Sequence, residues 1–214
     1  MRFFLNIVCI AMLWGSSVAI ARPVSYPGGW TVMQNNNTGA HGLYVHYSPT
    51  AKYSIGYKAE YWRDEKWHSH SAQLNYLAKR WNAPTSQANL YLKTGAGVAY
   101  SNFGSFDGET EPTGFVGITF DWEDRRYFSS YETRAYYARD IDKFFVQKAR
   151  VGITPYIGDY GDIHTWLMLQ VDHTPGKDNK ITVTPLVRMF KGEYLVEAGI
   201  SDDGDVLFIW TVRL

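Results

Sequence analysis

The stretch that decides the fold is the end of the chain, Val206-Leu207-Phe208-Ile209-Trp210-Thr211-Val212-Arg213-Leu214. Every second side chain, Val206, Phe208, Trp210, Val212 and Leu214, is large and apolar. Successive strand side chains point to opposite faces, so these share one face. A wholly apolar strand face that reaches the last residue suits a wall against lipid.

The same period runs back through the chain. Tyr53, Ile55, Tyr57, Ala59 and Tyr61 oppose Ser54, Gly56, Lys58, Glu60 and Trp62. Ala72, Leu74, Tyr76 and Ala78 oppose Ser71, Gln73, Asn75 and Lys79. Leu90, Leu92, Ala96 and Val98 oppose Asn89, Lys93, Gly95 and Gly97, and Val116, Ile118, Phe120 and Trp122 oppose Gly117, Thr119, Asp121 and Glu123. Tyr131, Thr133, Ala135 and Tyr137 oppose Ser130, Glu132 and Arg134; Ala149, Val151 and Ile153 oppose Lys148 and Arg150. Ile181, Val183, Val187 and Met189 oppose Thr182, Thr184 and Arg188. Clusters of Gly, Asn, Asp and Pro punctuate these runs, because those residues supply turn geometry. The expectation is an all-β fold: an antiparallel up-and-down transmembrane β-barrel of about 10–12 strands. Glu132 to Phe145 is the most ambiguous segment. The longest connection is expected at Ser101 to Pro112, on the side away from the chain ends.

The terminal strand resembles the C-terminal assembly signal of bacterial outer-membrane β-barrel proteins, although that signal usually ends in an aromatic residue and this chain ends in Leu214. The resemblance implies an outer-membrane location, contact with outer-membrane lipid and lipopolysaccharide, and recognition of the last strand by the barrel assembly machinery. The other end agrees. Arg2 precedes a short apolar run from Phe3 to Trp14, and Ala19-Ile20-Ala21 offers an A-x-A cleavage site. We therefore expect a signal peptide at residues 1–21 and a single barrel domain at 22–214. Cys9 leaves with the signal, so the mature chain has no disulfide framework and no thiolate chemistry. Acidic and basic residues are matched at 21 each, which gives no reason to expect a nucleic-acid partner. No segment beyond residue 21 is apolar enough for a membrane helix.

A soluble barrel also alternates, but turns its apolar face inward. Two features favour the membrane. The polar face carries charges of both signs suited to a crowded lumen: Lys58, Glu60, Lys79, Lys93, Asp121, Glu123, Glu132, Arg134, Lys148, Arg150 and Arg188. Aromatic residues also collect near strand ends, as in the two girdles of a bilayer: Tyr61, Trp62, Trp67, Trp81, Tyr100, Trp122, Tyr127, Tyr156 and Trp166.

Chemistry is harder to find. His46, Ser48 and Glu60 resemble the catalytic spacing of outer-membrane lipid A deacylases, which would make them base, nucleophile and orienting acid. That family has asparagine after the serine, where this chain has Pro49. A tight turn at Pro49 to Lys52 is expected to pair Val45 with Ile55, leaving Glu60 on the order of 20 Å from His46. His68 and His70 share a strand face and are weak metal candidates beside His41 or Asp64. The acidic turns Asp107 to Glu111 and Asp202 to Asp205 lack calcium-loop spacing and read as solvated turns. No Walker loop, dinucleotide fingerprint, nucleophile elbow or zincin motif occurs, and no cofactor is expected.

Three function classes follow. The first is a non-catalytic barrel, structural or interacting through its outer loops, with a charge-filled lumen. The second is a narrow, porin-like channel for small solutes or ions, which the near-balance of lumen charge mildly disfavours. The third is a lipid A-modifying enzyme, the less favoured because its catalytic groups do not converge.

Overall fold

The computed structural model describes residues 23–37, 39–159, 161–175, 177 and 179–214. The expected signal peptide, with Cys9, lies outside them. Among the described residues, period-two alternation becomes twelve strands: β1 (Gly29–Asn36), β2 (Ala40–Thr50), β3 (Tyr53–Trp62), β4 (Trp67–Asn82), β5 (Ser86–Ser101), β6 (Thr110–Asp124), β7 (Tyr127–Ala138), β8 (Asp142–Ile153), β9 (His164–His173), β10 (Ile181–Lys191), β11 (Tyr194–Ile200) and β12 (Val206–Arg213). A short 3-10 turn at Gly104–Phe106 follows β5. Each strand pairs with its sequence neighbours, and β1 pairs antiparallel with β12, so the sheet closes without a free edge. This is the expected all-β up-and-down barrel, at the upper end of the expected strand count.

The deciding strand behaves as its pattern requires. Val206 and Phe208 face outward and are exposed, whereas Leu207 and Ile209 are buried inside. The outer wall is apolar on every side: Leu43 and Ile55 on β2 and β3, Leu74 and Leu92 on β4 and β5, Val116 and Ile118 on β6, Val151 on β8, Leu167 on β9, and Met189 on β10 are all exposed. The interior is not only polar. Phe128, Trp166, Met168, Leu186, Phe190, Leu195, Leu207 and Ile209 form an apolar cluster against the β7 and β9–β12 wall.

Several expectations need correction. Trp62, Trp67 and Trp166 do not join a lipid girdle; Trp67 and Trp166 are buried and Trp62 packs against the inner cluster. Their own strand parity requires this, since Trp62 alternates in phase with the inward Lys58 and Glu60. Lys79 does not line the lumen. A bulge between Leu77 and Lys79 sets Lys79 opposite outward-facing Leu90, and Lys79 is exposed. The longest connection is 154–163, on the side of the chain ends, rather than the turn after Ser101.

Candidate functional site: the lumen

Inward charges are pulled from water, so each needs a partner. On β3, Lys58 and Glu60 share a face two residues apart, with Lys58 Nζ 2.6 Å from Glu60 Oε2. Both are almost fully buried. Tyr44 donates its hydroxyl to Glu60 Oε1 at 2.9 Å. Lys58 Nζ also donates to the Tyr136 hydroxyl at 2.8 Å, and that hydroxyl donates to Glu60 Oε1 at 3.1 Å. Tyr136 belongs to β7, which is no neighbour of β3, so these bonds cross the lumen. Lys58 lies 4.1 Å from the centroid of the Phe115 ring, a cation–π contact. Gly95 makes room there, since a Cβ at that position would sit 2.3 Å from the ring edge.

The network continues along β7. Arg134 donates to the Tyr136 hydroxyl at 2.6 Å and to Glu132 Oε1 at 2.9 Å. Lys93 on β5 reaches Glu132 Oε2 at 2.5 Å, and the Thr119 hydroxyl donates to the same oxygen at 2.9 Å. A second network occupies the facing wall. Glu197 on β11 accepts from Arg188 Nε at 2.6 Å and from Arg150 Nη1 at 2.9 Å. Arg150 also donates to Gln170 Oε1 at 2.6 Å, Gln170 donates to Asp172, and Lys148 lies 3.7 Å from Asp172. Asp121 accepts from Asn89 at 2.6 Å.

Between the networks lies a cavity of about 190 Å³. Its lining includes five cations, Lys93, Arg134, Lys148, Arg150 and Arg188, and three carboxylates, Asp121, Glu132 and Glu197. Side chains and a chain segment crowd both ends. At the end away from the termini, Trp62, Tyr136 and Phe144 pack with centroids 4.6 to 5.0 Å apart. Lys177 crosses above Phe144 at 4.3 Å and pairs with Glu65 and Asp142. At the other end the segment before β1 enters the barrel. Ser54 donates to the Pro23 carbonyl at 2.7 Å, Ser25 N–H donates to Ser48 Oγ at 2.9 Å, and Val24 is buried against Leu77 and Tyr91.

The expected site residues divide cleanly. Lys58, Glu60, Lys93, Asp121, Glu132, Arg134, Lys148, Arg150 and Arg188 meet inside the barrel. Lys79 turns outward and the bulge puts Arg80 in its place, where Arg80 donates to Asn89 at 2.7 Å. His46 and Ser48 share the inner face of β2, but the three deacylase-like residues do not converge. Tyr47 pairs with Ile55 and Gly42 with Glu60, because a bulge near Ser48 shifts the register from that expected. Glu60 thus sits four residues along β2 from His46, about 13 Å, and its carboxylate is committed to Lys58 and two phenols. His68 and His70 face outward, stacked on Tyr100 with centroids 4.7 Å and 5.7 Å away. Of the acidic turn, Asp203 pairs with Lys180 and Asp205 with Arg63. Tyr44, Tyr136, Gln170 and Glu197 were missed in the sequence. For Glu197 a signal exists, since Leu195, Glu197 and Gly199 share one face of a short strand.

Comparison with known proteins finds no matching family model and no matching curated protein. One solved structure, described as a KdgM porin in complex with disordered oligogalacturonate, aligns with a TM-score of 0.48 at 9% identity. The alignment covers 86% of this chain and 96% of that one. At that distance the likeness carries no statement about function.

Proposed function

We propose that this chain is an outer-membrane β-barrel whose lumen is closed by its own side chains, serving as a structural barrel or interacting through its outer loops. One observation carries the reading: the outward face is apolar around the whole circumference, while paired charges fill the inside. Monomeric soluble proteins rarely expose contiguous apolar patches beyond a few hundred Å². A continuous belt of exposed Leu, Ile, Val and Phe is stable only against lipid. Exposed Trp30, Trp81, Tyr127 and Tyr194 near the end carrying the termini, and Tyr137 near the other, suit the two bilayer interfaces. The lipid and lipopolysaccharide contacts and the handling of β12 by the assembly machinery belong to this proposal. The test pairs liposome flotation with planar-bilayer recording. Protein that floats with lipid and gives no discrete conductance fits the reading, whereas protein that stays soluble and folded without lipid contradicts it.

A narrow ion path is the second reading, favoured by the cavity's excess of cations. Discrete steps with anion preference in the same recordings would select it. Deacylase chemistry is not supported by the His46, Ser48 and Glu60 geometry. Ser48→Ala should leave lipid A acylation unchanged by mass spectrometry, and an altered pattern would reinstate the enzyme.

A further inference from the structure

We propose that the inner wall near the chain termini is a peptide-binding site for an extended segment with one aliphatic side chain, filled in cis by the chain's own Pro23-Val24-Ser25. A turn delivers the segment. Gly29 N–H donates to the Tyr26 carbonyl at 3.0 Å, and Gly28 between them has a φ of +84°. Proline at the second position, here Pro27, and a glycine of positive φ at the third make a type II turn. It folds the residues before β1 back into the barrel, where Pro23 lines the lumen.

The wall holds the segment with side chains, as it would a bound ligand. Among the described residues, no backbone-to-backbone bond joins Pro23, Val24 or Ser25 to a strand. Ser54 Oγ accepts from Asn75 Nδ2 at 3.0 Å, which turns its own proton to the Pro23 carbonyl, 2.7 Å away. Asn75 Nδ2 reaches the same carbonyl at 3.3 Å. Ser25 N–H donates to Ser48 Oγ at 2.9 Å. Between these bonds Val24 is buried against Leu77 and Tyr91. Ser48, Ser54, Asn75 and Tyr91 are themselves fully buried with the segment in place.

Backbone hydrogen bonds supply affinity in such a site, and the pocket for one side chain supplies selectivity. Nothing in it requires that the peptide be covalently attached. Attachment through Tyr26-Pro27-Gly28 gives the cis segment an effective concentration on the order of millimolar or above, so a free peptide enters only where the segment has left.

The inference needs the barrel but not a closed lumen. Conductance decides that reading, and peptide binding in detergent decides this one. The test uses the mature chain with Val24→Asp, which sets an unpaired carboxylate against Leu77 and Tyr91 and so expels the segment. A synthetic peptide of residues 22–27 is titrated into the refolded variant, and the Asn75 side-chain amide resonances are followed. They should shift saturably, with a Kd of about 1 mM or below. In the wild-type barrel the same peptide should leave them in place, because the site is taken. A peptide carrying Val24→Gly should bind the variant at least about tenfold more weakly, since it loses the one aliphatic contact. Should Val24→Asp not fold, the chain refolded from Tyr26 onward, which keeps every strand, takes its place with the same expected results. No saturable shift without the cis segment, equal affinity of the two peptides, or equal binding to the wild-type barrel would each overturn the proposal.

Discussion

Lys58 and Glu60 show how single residues fill the lumen of this barrel. Both are almost fully buried, and their pair is braced by Tyr44 and by Tyr136 from a strand across the lumen. A buried ion pair is often no more stable than a well-packed apolar one, but breaking it strands a charge. Glu60→Leu leaves Lys58 beside Arg134 with its carboxylate gone. We expect it to cost about 3–5 kcal/mol in urea unfolding from lipid vesicles. The double variant Lys58→Met with Glu60→Leu should recover most of that loss. A double variant as unstable as the single one would show that the pair is not the source. Glycine supplies a second residue-scale case. A Cβ on Gly97 would lie 1.9 Å from the His70 carbonyl oxygen, so Gly97→Ala must push β5 from β4. A cost of about 1–3 kcal/mol is expected. Gly39, with nothing within 4 Å of such a Cβ, should accept alanine within about 0.5 kcal/mol. Equal effects at the two sites would refute the steric account.

At the scale of the element, period two was legible and its interruptions were not. The faces of β3, β5, β6, β7 and β12 follow directly from their sequences, because one face packs inside and the other does not. A bulge leaves no comparable mark. Nothing in Tyr76-Leu77-Ala78-Lys79-Arg80 announces that one residue goes unpaired, so plain alternation puts Lys79 in the lumen where Arg80 belongs. Similarly, the bulge near Ser48 moved Glu60 closer to His46 than a plain hairpin would. The tryptophans misled for another reason. Residue type alone suggests a girdle for Trp62 and Trp67, whereas their parity places them with Glu60 and Ser69. Arg188 faces Glu197 directly across the β10–β11 hairpin, but the second partner, Arg150, was beyond reach, since β8 and β11 are not neighbours. The β4 bulge can be checked directly. With Cys9 in the expected leader, single cysteines can be read one at a time in the mature chain. Lys79→Cys should react with a small maleimide much faster than Arg80→Cys; matched rates would mean the bulge is absent.

For the whole molecule, what decides whether anything passes is the set of bonds that span non-neighbouring strands. Lys58 to Tyr136 joins β3 to β7, Lys93 to Glu132 joins β5 to β7, and Arg150 to Glu197 joins β8 to β11. The first crosses the lumen, whereas the second skips one strand and the third two strands along the wall. The aromatic packing of Trp62, Tyr136 and Phe144 occupies one end, and Val24 with Tyr91 the other. On the closed-lumen proposal all three layers block the path, so removing one layer is not expected to open it. Lys93→Ala with Glu132→Ala deletes a bridge as a neutral pair and leaves Arg134 with Glu60, 3.8 Å away, as its carboxylate. That variant should remain folded and nearly silent in a planar bilayer. Adding Phe144→Ala and Val24→Gly removes packing at both ends and should produce discrete conductance steps. Anion preference is expected in those steps, since Arg134, Arg150 and Arg188 then line the path with Glu197 and Asp121 as the carboxylates left among the cavity residues. Steps in the bridge variant alone would mean that the end layers do not seal. Continued silence of the folded combined variant would mean that the apolar cluster of Phe128, Trp166 and Phe190 closes the barrel unaided.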